Sequence, residues 1–289
     1  MSTHEIQPRG YRGGRKMKES RGVRFEVIAI LLALYFLLPF YWLMQSTTKD
    51  VGQLMQGTFV PALPGHFIDN LLGVFAYNHG LFVRWLINSF LYSGTSSVVG
   101  TFFAAMAGFA FRRYRFFGRK LLFILILGFA LVPGFATTLP LFIEFKNFHI
   151  LNTGWSVIVP SVLNVFGVYL MVVYWNQVPE EMFDAAMMDG TREPSIFLRI
   201  GLPTILPGVT TVLLLSFVAS WNNYFLSLIM LNRYEAFPLI LGITTISSAS
   251  GWPVYNLTLM GAFLTALPLL ILFATLQRFL APQLTGSIK

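Results

Sequence analysis

Residues 178–207 read VPEEMFDAAMMDGTREPSIFLRIGLPTILP. This stretch lies between two apolar stretches, residues 155–175 and 208–230, and each of these is long enough to cross the hydrocarbon core of a membrane. It carries two arginines, Arg192 and Arg199, and a larger number of acids. The acids are Glu180, Glu181, Asp184, Asp189 and Glu193. The sequence therefore predicts a net acidic connection between two membrane helices.

The local pattern of this connection predicts a helix, a turn and a second helix. Pro179 suits a first helical turn, and acids in that turn favour a helix N-terminus. Gly190 is expected to end the first helix, because glycine adopts the left-handed conformation of a helix C-cap without strain. Thr191 is the expected N-cap of the second helix, with Pro194 in its first turn.

Two faces are predicted on the first of these helices. One face carries Glu180, Glu181 and Asp184, and the opposite face carries Met182, Ala185, Ala186 and Asp189. The two alanines between methionines form a shallow surface onto which another protein could pack closely. A solvated helix that only joins two membrane spans is the alternative interpretation.

The composition of the whole chain indicates an all-α integral membrane protein. Of its 289 residues, 55% are hydrophobic and 11% are charged, whereas a soluble domain has about 25% charged residues. Six membrane helices are predicted, at residues 27–46, 85–111, 121–142, 155–175, 208–230 and 256–277. The first is too long for a signal-peptide core and is followed by no prompt cleavage site, so we expect it to be retained.

The distribution of Lys and Arg predicts the orientation. Sixteen of the twenty cations fall on one side of the predicted helices, in residues 1–26, 112–120, 178–207 and the C-terminal tail. Cytoplasmic segments carry this excess, so both termini are predicted to be cytoplasmic. The net charge of +8 is thereby a topology signal, and a nucleic-acid partner is not needed to explain it.

The aromatic girdle and the domain organisation follow from the same spans. Five tryptophans stand near predicted helix ends, where the membrane interface favours them, and Trp221 lies inside the fifth helix. The five are Trp42, Trp85, Trp155, Trp175 and Trp252.

We divide the chain into a basic segment (1–26), a first helix with an external loop (27–83), a core (84–280) that contains the connection 178–207, and a tail (281–289).

The sequence lacks the residues that several classes of function require. No acid, lysine, arginine or histidine lies centrally in a predicted span, which argues against a proton-driven carrier but leaves sodium coupling open. No nucleophile has a base at comparable depth, so no catalytic residue and no enzyme is predicted. The chain has no cysteine, and its four histidines are scattered, so no metal site is predicted. No phosphate-binding loop is present, so ATP would have to bind another chain.

The connection resembles the coupling motif, or EAA loop, of ABC importer permeases. The matching elements are Asp184-Ala185-Ala186, Asp189-Gly190, Ile200-Gly201-Leu202-Pro203 and Pro207. Asp184 stands where glutamate is usual. Further similarity to the carbohydrate-type permeases, close to the second permease of maltose-type systems, lies in RWLINSF (84–90), LNT (151–153), WNNY (221–224), QRF (277–279) and LTG (284–286).

This resemblance implies a type I ABC importer permease fold in a bacterial or archaeal cytoplasmic membrane. It implies as partners a second permease subunit, two ATPase subunits that carry ATP and Mg, an extracytoplasmic solute-binding protein and membrane lipid, and no cofactor on this chain. The residues that it assigns to ATPase coupling are Glu181, Asp184, Ala185, Ala186, Asp189, Gly190, Leu202 and Pro203.

A sugar pathway needs hydrogen-bonding groups and aromatic faces. The candidates are Trp221, Asn222, Asn223, Tyr224, Asn88 and Asn164, each with helix–helix hydrogen bonding as its alternative role. Glycerol 3-phosphate and a polyamine are alternative substrates, and a stand-alone secondary carrier is the alternative class. No cation is predicted in the pore, which favours a neutral sugar over a phosphorylated solute.

Overall fold

The computed structural model describes residues 23–249 and 254–280, and these ranges are helical without a β-strand. This confirms the all-α class. The α-helices are α1 (Val23–Ser46), α2 (Val51–Met55), α3 (Phe67–Ala76), α4 (Leu81–Arg113), α5 (Arg119–Phe129), α6 (Gly134–Asn147), α7 (Trp155–Val162), α8 (Val165–Trp175), α9 (Glu180–Met188), α10 (Glu193–Ser195), α11 (Leu202–Thr204), α12 (Leu206–Trp221), α13 (Tyr224–Met230), α14 (Leu239–Ala249) and α15 (Tyr255–Leu280). A π-helical turn, Ile196–Gly201, joins α10 to α11.

The helices provide four to six candidate membrane crossings within the described residues. Four are long and apolar enough by themselves: Phe25–Ser46, Phe67–Arg113, Trp155–Trp175 and Tyr255–Gln277. Two bent pairs qualify if each counts as one crossing, namely α5 with α6 at 95° and Glu193–Thr204 with α12 at 82°. The six predicted helices therefore agree with the upper count only.

Three of the predicted membrane stretches, 121–142, 155–175 and 208–230, each contain a break in the helix. The first break is residues 130–133, between α5 and α6, and it ends at Pro133, the N-cap residue of α6. The second precedes Asn164, and the third follows Trp221 at residues 222–223. At the second and third breaks an asparagine side chain caps the helix that follows, which makes the break a stable local structure.

The chain divides into two compact units, residues 1–43 and 44–289. In the first unit, residues 25–40 of α1 are all exposed. The crossing that contains them has a mean hydropathy of 2.3, so this exposed surface suits lipid. The basic segment 1–22 and the tail 281–289 lie outside the described residues.

The second unit is organised around α4, which packs against α7, α8, α12 and α14. Two of its glycines allow this close approach: a Cβ on Gly100 would stand 2.7 Å from the carbonyl oxygen of Val162, and one on Gly108 would stand 2.8 Å from the Cβ of Met171. Small residues at such contacts are typical of membrane helix pairs. Residues 47–84, which the sequence predicts as an external loop with irregular or short helical structure, contain α2, α3, a 3₁₀ turn and the first residues of α4.

Two hydrophobic clusters lie along α4. The Trp85 cluster, with Trp85 and Tyr92 from α4, also contains Trp221. The Trp175 cluster contains Phe109 from α4, together with Trp175 from α8. Trp85 and Trp175 lie near helix ends as predicted but are fully buried in the protein, whereas Trp42 and Trp155 are exposed. Trp252 lies outside the described residues.

Candidate functional site

The first helix of the acidic connection is α9, and it ends at Gly190 as predicted. Gly190 has a φ of +76°, in the left-handed region. Its N–H donates to the carbonyl oxygen of Met187 at 2.9 Å, and the N–H of Thr191 donates to that of Ala186 at 3.0 Å. These two bonds form a Schellman motif, which satisfies carbonyls that the helix end would otherwise leave unpaired.

One side of α9 is anchored in the Trp175 cluster. Phe183 is 1% exposed, and its ring centroid lies 5.8 Å from that of Phe109 and 6.2 Å from that of Trp175. The Trp175 indole N–H donates to the carbonyl oxygen of Ala105 at 3.0 Å. Because a packed aromatic core permits little sliding, α9 is fixed to α4 and α8.

A second side of α9 faces the C-terminal end of α4. Arg112 lies 3.5 Å from a carboxylate oxygen of Glu180, and Arg113 lies 3.7 Å from the other. Arg113 also lies 3.4 Å from Asp184 and donates to the sulfur of Met187 at 2.9 Å. We name Arg112 and Arg113, with these contacts, the arginine clamp.

A third side of α9 is open. Glu181, Ala185, Met188 and Asp189 are exposed, and Met188 is 88% exposed. Ala186, in contrast, is 7% exposed and belongs to the Trp175 cluster. The prediction that both alanines form a surface for another protein is therefore wrong for Ala186, because the helix turns it towards the protein interior.

The second arm of the connection runs from α10 through the π turn to α11. Its N-cap is Arg192, one residue beyond the predicted Thr191, and Pro194 lies in the first turn as expected. A Cβ on Gly201 would stand 2.5 Å from the Trp175 ring, so this glycine lets the arm pack onto the cluster. Leu202 is half-buried and Pro203 is exposed.

The start of this arm is tied to the end of α4. The hydroxyl of Tyr114, the C-cap residue of α4, donates to the carboxylate of Glu193. This hydrogen bond raises the pKa of the Tyr114 phenol, since deprotonation would place two negative charges side by side. The end of α4 thus contacts both arms of the connection.

Two of the six substrate-pathway candidates make structural contacts within the protein, and their role in the pathway stays a prediction. Trp221 is 1% exposed and stacks on Phe217 with ring centroids 5.5 Å apart. Asn88 donates to the carbonyl oxygens of Glu235 at 2.9 Å and Phe237 at 3.0 Å. Asn88 thus hydrogen-bonds a loop, and Trp221 is held by ring packing, with its buried indole N–H unpaired among the described residues.

Asn164 and Asn223 lie at helix breaks beside two clefts. Asn164 caps α8 and also donates to the hydroxyl of Ser216 at 2.6 Å. A cleft of about 430 Å³ is lined by Asn164, Ser161 and Asn223, and a second of about 770 Å³ shares Ser161 and Asn223 with it. Asn223 therefore stands where the two clefts meet.

The remaining candidates, Asn222 and Tyr224, are both exposed at the third break, and the Asn222 amide donates to the carbonyl oxygen of Val218 in its own helix.

Two polar residues that line the clefts, Ser161 and Thr138, were not predicted from the sequence. The signal that could have found Ser161 is Pro160, because a proline in a predicted membrane helix marks a place where its regular hydrogen bonding fails.

A further structural site, also missed, lies at the other end of α4. Its side chains bind the backbone of residues 234–239, the loop between α13 and α14. Trp85 donates to the carbonyl oxygen of Tyr234 at 2.7 Å and Tyr92 to that of Ala236 at 3.0 Å, while Ser89 accepts from the N–H of Leu239 at 2.7 Å. With the two bonds of Asn88, these contacts form what we name the loop clamp.

The sequence matches the family described as "Binding-protein-dependent transport system inner membrane component" over residues 96–286, and the chain belongs to this family. It is 30% identical to the arabinooligosaccharides transport system permease protein AraQ of Bacillus subtilis over 92% of this chain and 95% of that protein. It is 29% identical to the lactose transport system permease protein LacG of Rhizobium radiobacter over 92% of this chain and 96% of that protein.

The fold matches a solved structure as well. A chain from the crystal structure of a bacterial ABC transporter involved in the import of the acidic polysaccharide alginate superposes with a TM-score of 0.78 at 19% identity. The match covers 90% of this chain and 97% of that chain. The chain therefore has the fold of an ABC importer permease.

Proposed function

We propose that this chain is the permease subunit of an ATP-driven importer of a sugar or oligosaccharide. The observation that carries the proposal is α9, which is anchored on two sides and open on the third. A helix with this arrangement moves with the permease and presents Glu181, Ala185, Met188 and Asp189 to a partner. The family and the carbohydrate names of the relatives support the same function.

In the proposed mechanism, the open face of α9 docks on an ATPase subunit that carries the ATP and Mg. Closure of two such subunits displaces α9, and the Trp175 cluster and arginine clamp transmit this displacement to α4 and α8. Because packed elements move as rigid bodies between discrete arrangements, the movement of α9 alters access to the pathway. This chain contributes motion and a route, with no catalytic residue and no cofactor of its own.

The proposed route runs past the two clefts at the helix breaks. Asn164, Asn223 and Ser161 supply hydrogen-bonding groups, and Phe135 and Phe225 supply aromatic faces, the combination that a sugar requires. Asn222 and Tyr224 are exposed at the same break. The described residues lining the two clefts include no charged side chain, which favours a neutral sugar over glycerol 3-phosphate or a polyamine.

The remaining parts of the assembly follow from the family and from the charge distribution. A binding-protein-dependent system implies a second permease and an extracytoplasmic solute-binding protein. We place α9 and the arginine clamp at the cytoplasmic face, because the sequence concentrates cations there. Both termini are then cytoplasmic.

The test is purification of the affinity-tagged chain from its source membrane, followed by reconstitution into vesicles. We expect an ATPase subunit and a second permease to co-purify. Labelled arabinooligosaccharide or lactose should enter the vesicles only when ATP is on the side of the membrane that holds the ATPase and the solute-binding protein is on the opposite side. Sugar uptake by the chain alone, driven by a sodium gradient, would support the stand-alone carrier instead and overturn the proposal.

A further inference from the structure

The contacts of the arginine clamp differ from those that the coupling motif leads one to expect. Asp184 occupies the position of the motif's acid, and the motif assigns this acid to the docking face. In the structure its carboxylate lies 3.4 Å from Arg113 of the same chain. Its charge is therefore paired with α4 of the same chain, although the side chain is 58% exposed and also borders the open face of α9.

The arginine clamp contacts one side of α9 at three positions. Glu180, Asp184 and Met187 stand at spacings of four and three residues, so they share that side, and Arg113 contacts all three. Arg112 adds a second contact to Glu180 and donates to the carbonyl oxygen of Val178 at 3.4 Å. The clamp thus holds α9 along two turns and also holds the segment that precedes it.

Burial distinguishes this network from an ordinary surface ion pair. The Arg113 side chain is only 15% exposed, and that of Arg112 is 21% exposed, although Asp184 is 58% exposed. Fully exposed pairs contribute little because solvent screens them, and partial burial of the arginines reduces that screening. Removal of the acids would also leave two half-buried cations without their partners.

We propose that Arg113, with Arg112, is a positioning residue that locks α9 to α4, and that Asp184 is one of the acids that complete this internal lock. The inference rests on the proposed function. The lock fixes the angle at which the open face of α9 meets its partner, so that displacement of α9 is passed to α4 without slippage. A chain without the lock still binds the ATPase but wastes ATP.

The test uses charge reversal in the complete reconstituted complex, with the number of sugars imported per ATP hydrolysed as the readout. Arg113→Asp and Asp184→Arg alone are each expected to lower this ratio, because each places two like charges together. The double variant Arg113→Asp/Asp184→Arg restores this pair with reversed polarity and is expected to recover part of the ratio, because position 113 then also carries a negative charge beside Glu180. Arg113→Lys keeps the charge and is expected to retain most of the ratio.

The matched control is Arg115→Asp, which makes the same charge change two residues along the chain at an exposed position outside the clamp. It should leave the ratio unchanged. Failure of the double variant to recover, with Asp184→Arg losing the ATPase from the complex, would overturn the inference and assign Asp184 to docking. If the wild-type complex contains no ATPase, the proposed function itself fails, and the two failures are therefore distinguishable.

Discussion

The two ends of α4 hold different kinds of structure by different contacts. At the loop clamp, four side chains of α4 form five hydrogen bonds with the backbone of residues 234–239. At the arginine clamp, two side chains of α4 pair with acids on the side of a regular helix. Each end also has a buried tryptophan packed against a glycine: Trp85 with Gly242, and Trp175 with Gly201.

The difference follows from what each partner segment lacks. The loop contains only one 3₁₀ turn, Tyr234–Ala236, so its carbonyl groups lack the regular partners of an α-helix and take donors from α4, and buried carbonyls without donors are costly. The helix α9 satisfies most of its own backbone groups, so only its side chains remain for contact. The hydrogen bonds of the loop clamp fix the shape of the loop, whereas the ion pairs of the arginine clamp fix the orientation of α9 relative to α4. A fixed orientation suits α9, the helix that we propose is displaced by the ATPase.

The largest effect on stability is expected at the two glycines that pack against buried tryptophans, one near each end of α4. A Cβ on Gly242 would stand 2.2 Å from the Trp85 ring, and one on Gly201 would stand 2.5 Å from the Trp175 ring. We expect Gly242→Ala and Gly201→Ala each to destabilise the protein by about 3 kcal/mol, the upper range for overpacking, seen as a lower midpoint of thermal unfolding in detergent. Gly94→Ala is the control, because its Cβ would meet nothing within 4 Å. Equal midpoints for all three variants would contradict the packing account.

The loop clamp is tested by Asn88→Ala. This change leaves the carbonyl oxygens of Glu235 and Phe237 without their donor, and we expect a cost of about 2 kcal/mol in thermal stability. Asn222→Ala is the matched control for stability, because its exposed amide bonds only to its own helix. If Asn222→Ala lowers the unfolding midpoint as much as Asn88→Ala does, the clamp adds nothing to stability.

A smaller effect on stability but a large effect on transport is expected at the turn after α9. Gly190 has a positive φ, and a Cβ there would meet nothing within 4 Å, so only the backbone conformation is at stake. Gly190→Val costs about 1–2 kcal/mol and should abolish transport by misplacing one arm. Gly190→Asn tolerates the left-handed conformation and should transport sugar. Wild-type uptake by an assembled Gly190→Val complex would refute the role of this turn.

The parts of the fold that could be predicted depend on strong local signals. Apolar stretches located the membrane helices, and Gly190 located the end of α9, because each reflects a backbone requirement that acts within a few residues. The three helix breaks were missed, because Asn164 and the pair at 222–223 look like ordinary polar residues until their capping bonds are seen. Pro133 gave a signal that the apolar pattern around it concealed.

The sequence predicts which residues form α9 but not which side of α9 faces the protein interior. The motif located α9, and its acids and alanines are where the sequence places them. Which side faces the protein depends on Phe183, Arg112 and Arg113, and the two arginines lie some seventy residues earlier in the chain. Local periodicity could not reveal that contact, and so Ala186 was assigned to the wrong face. The burial of Trp221 could not be predicted for the same reason, because it depends on tertiary neighbours.

The most direct test of the account is a cysteine cross-linking scan of α9 in the assembled complex. The chain has no native cysteine, so single substitutions give a clean readout. With a short lysine- and thiol-reactive cross-linker, Ala185→Cys and Met188→Cys should form a product with the mass of this chain plus an ATPase subunit, and Met187→Cys and Ala186→Cys should not. Cross-linking through Ala186→Cys and Met187→Cys, with none through Met188→Cys, would contradict the assignment of the open face.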